Sequence, residues 1–98
     1  MKQKIEKTVL NAINHFNDES EIKIDLVSGL ETRLFGGTGV LDSLGLVNLI
    51  VMIEEAIELD FSTSIILADE KAMSRRTSPF SSVKTLINYI EEILTQNS

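Results

Sequence analysis

The chain has 98 residues, 43% of them hydrophobic, no cysteine and a formal net charge of -6. That length specifies one domain with a modest core, and the missing thiols exclude disulfides and thiolate metal sites within the chain. The acidic balance repels nucleic acid and anionic membrane and attracts basic patches on protein partners.

Residues Lys2 to about Phe16 place Ile5, Val9, Ile13 and Phe16 on one stripe, with Lys4, Lys7, Asn11 and Asn14 elsewhere, which predicts an amphipathic first helix. No secretory apolar region follows Met1-Lys2-Gln3-Lys4, because Glu6, Lys7 and Asn11 come too soon. The expectation is a soluble, cytoplasmic single domain over residues 1–98, monomeric and without membrane or nucleic-acid partners. His15, the lone histidine, reads as a last-turn residue facing the helix dipole or solvent and is given no role.

From Asn17 to Leu41 the helical pattern lapses. A connection this long needs apolar anchors, and Leu26, Leu30, Leu34 and Phe35 are the candidates, with a helical turn around Leu30 to Leu34. The alternation Ile22-Lys23-Ile24-Asp25-Leu26 resembles an edge strand but has no partner, so it reads as extended loop.

Beyond Gly36-Gly37-Thr38-Gly39 the segment Val40-Leu41-Asp42-Ser43-Leu44 opens a second helix, expected from Ser43 to about Glu58. Asp42 suits the N-cap, where its carboxylate accepts from first-turn N–H groups. Leu46, Leu49, Ile50, Ile53 and Ile57 form a core stripe; Leu44, Val47 and Val51 form a second apolar strip beginning beside the serine. With Glu54, Glu55 and Glu58 at its rim, that strip reads as a docking surface for partner enzymes. The residues alone read equally well as ordinary core or as a face between two copies.

Further on, Phe61, Ile65, Ile66 and Leu67 are expected to pack inward, and Asp69-Glu70-Lys71-Ala72-Met73 has the composition of a short third helix. Ser74 to Pro79, with the doublet Arg75-Arg76, reads as a solvated loop. Ser81 or Ser82 caps a last helix in which Val83, Leu86, Ile87, Ile90 and Leu94 recur at helical spacing, with Tyr89 at the core margin and its hydroxyl wet.

A serine after an aspartate at a helix start is, by itself, ordinary capping chemistry. A phosphate joined to Ser43 would nonetheless lie in the favourable field of a helix N-terminus. Asp42-Ser43-Leu44 followed by Val47, Leu49, Ile50, Ile53, Glu54 and Glu55 resembles the attachment motif and second helix of the acyl carrier protein family. Asn88-Tyr89-Ile90 resembles that family's final helix, and the likeness spans nearly the whole chain.

The resemblance implies an all-α fold, a small four-helix bundle with a long loop between helices 1 and 2 and a short third helix. It implies a carrier and not an enzyme: Ser43, flanked by Asp42 and Leu44, would bear a 4'-phosphopantetheine arm derived from coenzyme A. The arm's thiol would hold acyl or aminoacyl groups as thioesters. Implied partners are a phosphopantetheinyl transferase and the enzymes that load and unload the cargo, meeting Leu44, Val47, Val51, Glu54 and Glu55. Gly45 and Asn48 stand where fatty-acid carriers commonly present acids, which points to a specialised lipid or secondary-metabolite pathway, and Gly45 leaves room for a partner's backbone. The rival reading is a helical interaction module with no prosthetic group.

Enzymatic alternatives lack their motifs. No Lys-Ser or Lys-Thr follows the glycine-rich run, so it is not a phosphate-binding loop. A nucleophile elbow would need glycine at position 41, where Leu41 stands. Nothing beside Ser43 in sequence would activate its hydroxyl as a nucleophile.

Overall fold

A computed structural model describes residues 2–36, 39–67 and 78–96. Among them the fold is all-α: α1 (Lys2–Glu19), a six-residue 3-10 segment kinked at Gly29 (Leu26–Glu31), α2 (Ser43–Phe61) and α3 (Val83–Gln96). The only extended pairings among the described residues are two isolated bridges, Arg33 with Ser82 and Phe35 with Leu41. The short helix expected at residues 69–73 and the Arg75-Arg76 doublet lie outside the described residues.

α1 packs on both α2 and α3, and the 3-10 segment leans on α3. The stripe expected of α1 is the one buried: Ile5, Val9 and Ile13 are inaccessible and Phe16 nearly so. It meets Leu49, Ile50, Ile53 and Ile57 of α2 and Val83, Leu86, Ile87, Ile90 and Leu94 of α3 in one apolar cluster. The helices α1 and α2 run antiparallel. Near one end Thr8 Oγ1 donates to Asp60 Oδ2 at 2.6 Å and the Lys4 ammonium lies 4.7 Å from the centre of the Phe61 ring. At the other end Phe16 and Glu19 border the same groove as Leu44 and Gly45.

Both leading helices run one turn longer than the apolar pattern indicates, α1 to Glu19 and α2 to Phe61. The long connection is pinned differently from expectation. Leu34 is fully buried, but Leu26, Leu30 and Phe35 are only half-buried, and the helical turn falls at 26–31 instead of 30–34. The strongest early anchor is Ile24, 2% exposed. Asn17 holds it in place: its Nδ2 donates to Ile24 C=O at 2.8 Å, and its Oδ1 accepts from Ile24 N–H at 2.7 Å. Lys23 turns the other way and donates to the Asn17 and Ser20 carbonyls, satisfying acceptors left over where α1 ends.

One residue expected inside lies outside, and one expected at the margin lies inside. Ile66 points out, 68% exposed, between Ile65 and Leu67, which are buried; an extended backbone sends alternate side chains to opposite sides. Tyr89 lies not at the core margin but within it, 3% exposed, its ring edge-on to Phe80 with centroids 6.5 Å apart. Of the two serines before α3, Ser82 is the cap. Its hydroxyl accepts from Thr85 N–H at 3.2 Å, and Thr85 Oγ1 accepts from Ser82 N–H at 3.0 Å, a capping box with threonine in the place of glutamate.

Candidate functional site

Asp42 is the N-cap of α2. Its backbone is extended (φ -87°, ψ -178°), its carboxylate accepts from Gly45 N–H at 2.7 Å, and its carbonyl takes the first helical bond, from Leu46 N–H at 2.9 Å. Ser43 is therefore the first helical residue, and it is exposed. Its mounting is rigid on both sides, with the capped turn ahead of it and the buried Leu41, 5% exposed, two residues behind.

The surroundings of Gly45 include its own cap. A Cβ there would stand 3.2 Å from Asp42 Oδ1 and 3.4 Å from Leu41 Cδ2. A side chain there would need the cap carboxylate to give by a few tenths of an ångström and would meet Leu41 at ordinary contact distance; glycine at this position costs roughly 0.5 to 1 kcal/mol relative to alanine.

The second strip stays outside the core. Leu44 is 70%, Val47 54% and Val51 46% exposed, one above another on the helix surface starting next to Ser43. Glu55 is exposed at the strip's far end. Glu54 is half-buried and accepts from Leu67 N–H at 2.7 Å, so part of its carboxylate is committed to holding the chain after α2. Leu46, expected in the core stripe, is only half-buried.

On the α1 side of the strip lies an open groove of about 630 Å³. Its apolar lining comes from Phe16, Ile22, Leu44, Val51 and Met52, its charged lining from Glu19, Glu21 and Asp42, and no lysine or arginine borders it. The sequence allows for a groove between helices that shelters an apolar cargo but does not give its lining, because Ile22 and Glu21 belong to a loop whose return toward α2 no local pattern announces. His15 lies on the exposed side of α1, 3.7 Å from Glu19 one turn on, and takes no part in the groove.

Among the described residues no group of three or more histidine, aspartate or glutamate side chains is placed to hold a metal ion, and no helix is long and apolar enough to cross a membrane. The Ser43 region thus offers one exposed hydroxyl on a fixed helix end, apolar surface on one side and an acid-lined groove on the other. The chain has no match among known protein families, curated proteins or solved structures.

Proposed function

We propose that the protein is an acyl or aminoacyl carrier of acyl-carrier type, with Ser43 as the attachment point of a 4'-phosphopantetheine arm. The observation that carries this reading is an exposed serine at the first position of a capped helix, next to an apolar strip that the core leaves uncovered. Such a site fits the arm: the hydroxyl is open to a large incoming enzyme, and a phosphodiester formed there would sit at the positive end of α2. The bound arm would supply a terminal thiol on which a thioester can form.

The remaining work falls to this chain's residues. Asp42 fixes the first turn and so the direction of the Ser43 Cα–Cβ bond. Ser43 Oγ forms the bond to the β-phosphorus of coenzyme A as the bond to the departing 3',5'-adenosine bisphosphate breaks. The hydroxyl proton leaves to a base that the transferase must provide, since serine is a weak nucleophile without one. Leu44, Val47 and Val51 supply apolar contact area for the transferase and for loading and transfer enzymes, with Glu55 on the rim. The lack of acids early in α2, where Gly45 and Asn48 stand instead, fits a specialised biosynthetic pathway.

Incubation with coenzyme A, Mg²⁺ and a broad-specificity phosphopantetheinyl transferase tests the reading by intact mass. Wild type is expected to gain one phosphopantetheine and Ser43→Ala none. A folded wild type that gains nothing leaves the other reading, a helical interaction module that uses the same exposed strip without a prosthetic group.

A further inference from the structure

The segment that delivers the chain to Ser43 is a strap tied to the start of α3. Val83 N–H donates to Thr32 C=O at 3.0 Å, and Leu34 N–H donates to Ser81 C=O at 2.8 Å. Leu34 is wholly buried, and its own carbonyl accepts from Leu41 N–H at 3.0 Å, one residue before the α2 cap. The backbone around Leu34 is therefore held from one side by α3 and in turn holds Leu41.

Gly39 crosses this strap at a distance no side chain permits. A Cβ on it would lie 2.6 Å from Leu34 C, 2.6 Å from Phe35 N and 2.7 Å from Leu34 O. All three are backbone atoms in the pinned stretch, and they cannot swing aside as the end of a flexible side chain can. Relieving that clash displaces segment 39–41, which loosens the Leu41 bond and shifts Asp42 and Ser43, one and two residues beyond Leu41.

We propose that Gly39 is a positioning residue for the Ser43 site: its missing side chain lets Leu41 dock on Leu34, which sets where α2 begins and where the serine hydroxyl is presented to the modifying enzyme. The modification half of this statement rests on the carrier reading, whereas the geometric half does not. Neither Gly39 nor the strap touches the Leu44–Val47–Val51 strip through any contact described above, so recognition and presentation are separable.

The test compares wild type, Gly39→Ala and Leu94→Ala, the last a buried truncation near the far end of α3 that serves as a stability control. Thermal midpoint, the kcat and KM of transferase modification, and the amide signal of Gly45, which reports the Asp42 cap, are measured on each. Gly39→Ala is expected to lose about tenfold or more in kcat with KM for the carrier little changed, since a small misplacement of a reacting atom costs on that order, and to shift the Gly45 signal. Leu94→Ala is expected to lower the midpoint while leaving both readouts in place. Modification of Gly39→Ala at the wild-type rate, or an equal rate loss in Leu94→Ala, overturns the proposal. If wild type is never modified, the carrier reading fails and the Gly45 signal alone decides: movement in Gly39→Ala supports positioning, and an unmoved signal refutes it. If Gly39→Ala does not fold, hydrogen exchange of wild type decides instead, because strong protection of Leu41 N–H supports the strap and free exchange there overturns it.

Discussion

α2 carries nine leucine, isoleucine and valine residues and α3 six, and the two helices put them to different uses. α3 buries Val83, Leu86, Ile87, Tyr89, Ile90 and Leu94 on one face and turns Lys84 and Asn88 to solvent, as an amphipathic core helix does. α2 buries only Leu49, Ile50, Ile53 and Ile57, and leaves Leu44, Val47, Val51 and, at its far end, Leu59 exposed. The core needs one stripe from each helix. What α2 carries beyond that stripe begins beside Ser43, and it is the surface that the proposed carrier function assigns to partner enzymes.

The contrast predicts a graded set of mutational effects. The largest is on the buried stripe: Ile57→Ala, which empties a fully buried site, is expected to cost about 2 to 5 kcal/mol in urea unfolding. A loss there no greater than for an exposed residue would show that the α1–α2 packing is not as described. The cap comes next. Asp42→Ala is expected to lower stability by roughly 0.5 to 2 kcal/mol, with Asp42→Asn retaining most of it, because an amide oxygen can still accept from Gly45 N–H. Equal losses in the two variants would count against the capping role.

The smallest stability effect belongs to the strip. Val47→Ala should stay within about 0.5 kcal/mol of wild type, since it uncovers no core and alanine favours a helix more than valine. The same variant should raise the KM of transferase modification. A drop in stability comparable to Ile57→Ala would make the strip part of the core and erase the distinction between the two helices.

Much of this was legible from residue order. Helical spacing located the three α-helices among the described residues and, apart from Leu46, their buried stripes, because burial against one neighbour leaves a period in the sequence. Asp42 was legible as a cap, because short acceptor side chains have few other reasons to precede an apolar run. The connection was less so. Ile24 is buried through the paired bonds of Asn17, seven residues away, and no pattern ranks Ile24 above Leu26 as an anchor. Gly45 reads in sequence as room for a partner's backbone, and only the fold shows Asp42 Oδ1 and Leu41 standing beside it. Glu54 reads as a surface acid yet accepts the Leu67 amide, a contact 13 positions away that only the fold creates. Nothing local separates Ile66 from Ile65 and Leu67, and Tyr89, which polarity places at the margin, is drawn inside beside Phe80.

The most direct measurement is tandem mass spectrometry of the protein after co-expression with a phosphopantetheinyl transferase. Trypsin releases residues 34–71 as one peptide, which holds Ser43 together with Ser62 and Ser64. The account predicts a single phosphopantetheine on that peptide, localised to Ser43 by its fragments. A peptide that stays unmodified, or one that carries the group on Ser62 or Ser64, would contradict it.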